Sequence, residues 1–203
     1  MEEYLRNIFL FNPDAPLIFT RFYFWAFFTV VLAGYTIVHK RRVPRNAYLF
    51  FMSLFFYYKT GEFFFFLLIF STLSDFYIGH GIYRTNNKTK AKLLVALSVF
   101  INLGVLAYYK YAEFFVETVN YLFATDFAAV DLFAKWANQF AGTHFSIDKI
   151  ILPVGISFFT FQTISYSVDI YRGKVKPVRN ILDFGFYVSF FPQLVAGPIV
   201  RAS

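Results

Sequence analysis

The chain has 203 residues, 58% of them hydrophobic and 15% charged, with a formal charge of +7; ordinary soluble domains are about 25% charged. Its mean hydropathy of +0.53 and its 32 Phe and 15 Tyr, set in apolar runs, exceed what a water-soluble core can bury, whereas lipid accepts helices that are apolar all round. The absence of cysteine excludes disulfides, thiolate chemistry and sulfur-ligated metals, and the basic residues sit in short clusters between apolar runs, which excludes a nucleic-acid groove.

Glu2 and Glu3 stand where a cleaved leader would carry basic residues, and no small-residue cleavage site follows the first apolar run, so no signal peptide is expected. That run, Leu17 to Val38, is long enough to cross a hydrocarbon core of about 30 Å, with Arg21 near its outer end, placed to snorkel. HKRRVPRN, from His39 to Asn46, carries four formal positive charges and reads as cytoplasmic. Ala47 to Tyr58 is short for a span. Lys59, Thr60, Gly61 and Glu62 part it from Phe63 to Gly79, and two segments or a hairpin both fit. RTNNKTKAK, from Arg84 to Lys92, again carries four positive charges, so both ends of this pair face the cytoplasm, as a hairpin requires.

Leu93 to Tyr109 then runs outward. From Tyr111 to Lys149 acids outnumber bases, which places the stretch outside; within it Phe114, Phe115, Val119, Leu122 and Phe123 line one side of a helix that lies either in the interface or in a lumen-facing core. Ile150 to Tyr171 returns inward to RGKVKPVR, from Arg172 to Arg179, a third cluster of four positive charges, and Ile181 to Val200 leads back out. The three clusters thus share one side of the membrane, with the N-terminus outside. No repeat or composition shift marks a second domain. The expected fold is all-α, a polytopic membrane helix bundle.

Polar groups inside apolar runs are costly in lipid and therefore informative. Asp75, in STLSD, is expected to lie at the interface, paired to a base of the nearby loop, in preference to acting as a buried carboxylate. Pro153 suits the first turn of a helix, and at 100° per residue Gln162, Ser165, Tyr166 and Asp169 share one face. That stripe makes interhelical hydrogen bonds, with Asp169 paired to Arg172, or it walls a cavity. Pro192 and Pro198 each remove a backbone donor and Gly197 adds freedom beside the second. A broken helix is expected there, with Pro192 to Pro198 lining an internal cavity and Gln193 as its polar side chain; a plain proline kink is the alternative. His39, His80 and His144 fall in or beside loops without ligand spacing, and there is no nucleotide loop, nucleophile elbow or metal motif.

The segment ILPVGISFFTFQTISYSVDIYRG, followed after a short spacer by DFGFYVSFFPQLVAGPIVR, resembles the membrane-bound O-acyltransferase family, in its bacterial branch acting on alginate and teichoic acid. SLFFYYKTGEFFFFLLIFSTLSDFYIG and GVLAYYKYAEFF are similar to earlier parts of it, whereas the first span and the stretch from Ala124 to Ser146 are not. The resemblance implies that residues 1–203 are the N-terminal, incomplete part of one membrane domain, a bundle of tilted and broken helices around a tunnel. Its tunnel-lining candidates here are Gln162, Ser165, Asp169, Pro192, Gln193, Gly197 and Pro198.

In such enzymes a histidine activates a hydroxyl to attack an acyl thioester. That histidine lies downstream of the AGPI block, so the resemblance puts it beyond Ser203, matches no catalytic residue here, and makes the chain alone an inactive fragment or truncated product. It also implies the bacterial inner membrane, an acyl-thioester donor on the cytoplasmic side with no bound cofactor or metal, a polysaccharide acceptor, an extracytoplasmic acyltransferase partner, lipid contact and no nucleic acid. Two other functional classes compete: a transporter or flippase segment, which inverted repeats would favour, and a non-catalytic membrane scaffold.

Overall fold

The computed structural model describes residues 17, 20–61, 64–141, 147 and 150–197. Among the described residues it is helical and without strands: α1 (Phe22–Val38), α2 (Arg42–Gly61), α3 (Phe65–Arg84), α4 (Lys88–Phe123), α5 (Leu132–Ala141), α6 (Ile156–Tyr171), α7 (Ile181–Ser189) and α8 (Phe191–Ala196). This is the all-α architecture expected. Of these helices α3 and α4 are long and apolar enough to cross a membrane, and α1 is a shorter apolar helix. The chain divides into two compact units, Met1–Asn102 with Val154–Ser203, and Leu103–Pro153.

Several boundaries differ from the sequence expectation. The short apolar run from Ala47 belongs to a 20-residue helix, because α2 starts inside the basic cluster at Arg42 and tolerates Pro44 in its first turn, where the missing N–H costs little. The outward span does not stop at Tyr109: α4 is unbroken for 36 residues, since no proline occurs between Lys88 and Phe123 and Lys110, Glu113 and Glu117 are good helix formers. Pro153 precedes α6 and is not part of it. The helix starts after Gly155, whose φ of +74° is left-handed and natural to glycine. A Cβ on Gly155 would also lie 2.7 Å from Tyr57 Oη. The last apolar run is broken, as expected, but at Phe190, where ψ of 105° leaves the helical range. Pro192 follows in the first turn of α8.

In the first unit, α1 packs antiparallel to α2, with Tyr48 Oη donating to the carbonyls of Val30 and Val31 at 3.2 Å each and Gly34 opposite the Tyr48 ring. Helix α7 runs parallel to α2: Asn46 Nδ2 donates to Asp183 at 2.9 Å, Gly185 faces Phe50, and the Phe191 N–H points at Ser53 Oγ at 3.4 Å. Around that last contact Phe24, Phe27, Phe56 and Phe191 form an aromatic core, with the Phe56 and Phe191 centroids 4.9 Å apart. Helix α6 runs parallel to α3, its Tyr166 and Ile170 covering Gly79, and the Tyr166 ring lies tilted against Phe184 with centroids 4.5 Å apart.

These registers gather the three basic clusters at one end of the unit. Arg84 and Arg172 end the parallel pair α3 and α6, Lys88 follows Arg84, and Arg42 of α2 meets Asp183 of α7 at 3.4 Å. The third loop is pinned there, since the Val178 N–H donates to Tyr166 Oη at 3.1 Å and Asn180 caps α7 through the Leu182 N–H at 3.0 Å. In the second unit, Asp131 caps α5 through the Phe133 and Ala134 N–H groups at 3.0 Å each, and Tyr108 Oη donates to the same carboxylate.

Two glycines set how closely the helices approach. A Cβ at Gly79 would fall 2.9 Å from the Tyr166 ring, and one at Gly185 would fall 2.7 Å from the Phe50 ring, whereas at Gly104 it would meet nothing within 4 Å. Gly79→Leu and Gly185→Leu are therefore expected to destabilise the protein by about 1–3 kcal/mol through overpacking. Gly104→Ala should be neutral or stabilise by up to about 1 kcal/mol through helix propensity. Unfolding midpoints in detergent check the ordering.

Candidate functional site

The most concentrated chemistry in the first unit is a polar seam joining α3, α4 and α6. Each helix contributes two side chains one turn apart, Ser71 and Asp75, Ser98 and Asn102, Thr163 and Ser167, and all six are buried. Spacing of four residues stacks them on one face of each helix. Ser98 Oγ donates to Asp75 Oδ1, Asn102 Nδ2 donates to Asp75 Oδ2 at 2.7 Å, and Ser167 Oγ approaches Oδ1 at 3.4 Å. The Asn102 carbonyl oxygen accepts from Ser71 and Thr163 at 3.0 Å each. Asn102 thus ties all three helices by donating and accepting at once, which an ionised carboxylate, an acceptor only, could not do.

Asp75 is therefore a correction to the sequence reading. It is fully buried, and its partners are hydroxyls and an amide, with no ion pair to a loop base among the described residues. The physical reason is position: Asp75 lies more than two helical turns before Arg84, too deep for the loop cations.

The stripe expected on α6 is present and points the other way, toward α7. Gln162 is buried and donates through Nε2 to the Tyr187 backbone carbonyl at 2.7 Å. Gln162 and Ser165 reach the Tyr187 side chain, and Asp169 lies near enough for its charge to act on it. Ser165 Oγ also donates to the Gln162 carbonyl at 2.8 Å. Asp169 is buried but is not paired with Arg172 among the described residues. Arg172 lies at the C-cap of α6, where its N–H closes the helix on the Val168 carbonyl at 2.9 Å.

Gln162 also explains how the chain tolerates the break at Phe190. In a continuous helix the Tyr187 carbonyl would accept from the Phe191 N–H. That N–H turns to Ser53 of α2 instead, and Gln162 takes the vacated carbonyl. Broken backbone at membrane depth survives only with such substitutes. Pro192 and Gln193 are half-buried on α8 and Gly197 ends it, while Pro198 lies outside the described residues, as does His144. Gln162 is thus joined to the break, and Asp169 sits two turns away toward the basic end.

Among the described residues three buried hydroxyls, Tyr57 Oη, Thr160 Oγ1 and Ser189 Oγ, have no hydrogen-bond partner. Two of them adjoin the break. Ser189 closes α7, and Tyr57 is one turn beyond Ser53, with its Oη and the Leu194 carbonyl both flanking Gly155. Buried unpaired polar groups are uncommon and mark strain, function or bound solvent. His39 and His80 take no part: their Nδ1 atoms bond carbonyls of their own helices, Thr36 at 2.7 Å and Phe76 at 2.9 Å. No group of three His, Cys, Asp or Glu that could hold a metal exists among the described residues.

Asn102→Leu is expected to cost more than an ordinary core substitution, because it strands Asp75 Oδ2 and the Ser71 hydroxyl together, while Ser98 still serves Asp75 Oδ1 and the Thr160 carbonyl still serves Thr163. Each stranded group costs about 1–3 kcal/mol, more where it is charged. Thr29→Ala, which removes only an exposed bond to the Trp25 carbonyl, should stay within about 0.5 kcal/mol of the parent. Detergent unfolding midpoints of the two variants test this difference.

Comparison with known proteins gives the fold and site their context. The chain is 35% identical over 158 residues to the probable alginate O-acetylase AlgI of Pseudomonas syringae pv. tomato, a match that covers 77% of this chain and 28% of that protein. It is 34% identical over 182 residues to the protein of the same name in Pseudomonas aeruginosa, covering 88% and 32%. To the peptidoglycan O-acetyltransferase of Helicobacter pylori it is 28% identical over 211 residues, covering 91% and 37%. The chain thus spans about a third of the length of the curated relatives it matches. No family model matches the chain, and no solved structure matches it. The helical architecture, the apolar spans and this similarity over most of its length are those of a membrane protein that is similar to cell-envelope O-acetyltransferases.

Proposed function

We propose that the chain is part of an enzyme that transfers an acyl group, acetyl in the simplest case, from a thioester to a hydroxyl of a cell-envelope polysaccharide such as alginate. The observation that carries this reading is the similarity over 77% of the chain to alginate O-acetylases. The enzyme works in the inner membrane of a bacterium, with the basic end of the bundle in the cytoplasm, as the distribution of Lys and Arg favours, and with the N-terminus outside. The thioester arrives on the cytoplasmic side, and an extracytoplasmic acyltransferase continues the transfer.

In this reaction a base takes the proton of the attacking hydroxyl, the oxygen bonds to the acyl carbon, and the carbon–sulfur bond breaks to release a thiol. The resemblance assigns the base to a histidine beyond Ser203. What these 203 residues supply is position, which in well-oriented systems contributes several kcal/mol to the barrier reduction. The seam around Asp75 fixes α6 against α3 and α4, and Gln162 holds the broken helix against α6. Gln162, Ser165 and Asp169 line one side of the acyl tunnel, with Pro192, Gln193 and Gly197 following at the break. The unpaired hydroxyls of Tyr57 and Ser189 beside the break support this reading, because they are donors that no neighbouring side chain occupies.

Membranes containing the whole enzyme should move labelled acetyl from a thioester to alginate, and the 203-residue chain alone should not. Gln162→Leu in the whole enzyme should lower transfer by about 10- to 100-fold, the scale of an error of about 1 Å in position, at unchanged protein level. Failure of the whole enzyme to acylate any envelope polysaccharide would overturn the function. Transfer by the isolated chain would overturn the placement of the base.

A further inference from the structure

Tyr57 is bonded neither into the seam nor to the stripe of α6. The residue is 2% exposed, yet among the described residues its Oη has no hydrogen-bond partner. The hydroxyl is aimed at the start of α6: a Cβ on Gly155 would lie 2.7 Å from it and 3.1 Å from the Leu194 carbonyl oxygen of α8. One point thus lies at hydrogen-bond distance from both oxygens, so they are no farther apart than a single bridging atom can span. They are not bonded to each other.

The Leu194 carbonyl has no partner in its own helix either. It is among the last of α8, where carbonyls find no donor within the helix. The Gly197 N–H goes to Gln193, and residue 198, next in helical register, is a proline with no N–H to give. Gly155 is the N-cap of α6, and among the described residues no side chain caps that helix. The unpaired N–H groups of its first turn and the positive end of its dipole therefore lie beside the same two oxygens. Glycine, with no side chain and a φ of +74°, is what lets Tyr57 and Leu194 approach this end so closely.

The three groups select a ligand chemistry. The helix start disfavours a cation, and the Leu194 carbonyl disfavours an anion. An apolar group would leave a phenol O–H and a carbonyl buried without partners. A neutral oxygen that accepts from Tyr57 and donates to Leu194 satisfies both, and that describes a hydroxyl. We infer that Tyr57, Leu194 and the start of α6 form a binding site for one hydroxyl group, supplied by a water molecule or by the polysaccharide acceptor. The water source is independent of the reaction proposed above, whereas the acceptor source rests on it.

The test is Tyr57→Phe in the whole enzyme in detergent, which removes one oxygen and little else. Tyr77→Phe, at a position 68% exposed, is the control. With water in the site, the variant strands the Leu194 carbonyl and its bound oxygen, and the unfolding midpoint falls by about 1–2 °C against the control without any acceptor. With the acceptor's hydroxyl as ligand, alginate oligosaccharide raises the midpoint of the parent more than that of the variant. A fall without alginate, together with no response to alginate in either protein, supports the site and counts against the reaction. A variant as stable as the parent or more so, with and without alginate, means that the hydroxyl has no ligand, and overturns the proposal. A density map of the parent that resolves waters gives a readout independent of stability: an oxygen should lie between Tyr57 Oη and the Leu194 carbonyl, and clear density without one overturns the proposal equally.

Discussion

The first unit depends on one constraint: a carboxylate and a carboxamide buried among apolar helices must find every partner inside the protein. Lipid offers none, and an unpaired polar group there costs several kcal/mol. Asp75 and Asn102 meet the constraint only if α3, α4 and α6 stand in one register. A shift of one residue turns each side chain by about 100° and breaks the set. Apolar packing tolerates such slips far better, because one aromatic surface resembles the next. The seam therefore selects the register, and the aromatic clusters of Phe24, Phe56 and Phe191, and of Tyr166 and Phe184, fill in around it.

The break between α7 and α8 poses the same problem in the backbone. Pro192 brings no N–H, the Phe191 N–H turns to Ser53, and Gln162 covers the Tyr187 carbonyl. The substitutes come from α2 and α6, the two helices that flank the break, so its position is dictated by neighbours on both sides and not by proline alone. This explains why the helix interrupts at Phe190, two residues before the residue that makes interruption attractive.

How much of this was legible in the sequence differs by feature. The apolar runs and basic clusters reveal helices and their common end, because both follow from local composition. The face of Gln162, Ser165, Tyr166 and Asp169 is also a local pattern; in the structure Gln162 and Ser165 meet Tyr187 of α7, whereas Tyr166 covers Gly79 of α3. Its partner, α7, was not legible. The second polar face of α6, with Thr163 and Ser167, was missed, although the signal was present: Ser71 with Asp75, Ser98 with Asn102 and Thr163 with Ser167 repeat one spacing of four. Each pair looks unremarkable alone, and only the knowledge that three helices meet makes Asp75 a buried hub and not an interfacial residue. Helix length failed for a related reason. Lys110, Glu113 and Glu117 interrupt the apolar run, and an interruption of hydropathy is not an end of helix.

Helix α6 carries both polar faces, about 150° apart by helical geometry, and this separates two kinds of consequence. Thr163 and Ser167 bond into a seam whose donors and acceptors are already matched, so that face has one low-energy arrangement and resists displacement. On the other face Gln162 bonds the Tyr187 carbonyl and, with Ser165, reaches the Tyr187 side chain; among the described residues Asp169 has no cationic partner and the Tyr57 and Ser189 hydroxyls have no hydrogen-bond partner. That side has bonding capacity to spare. A helix fixed on one face and unsaturated on the other is suited to presenting polar groups to something that passes, because the rigid seam absorbs the cost of keeping those groups oriented before anything binds. The seam around Asp75 keeps the face of α6 that carries Gln162 and Ser165 turned toward α7.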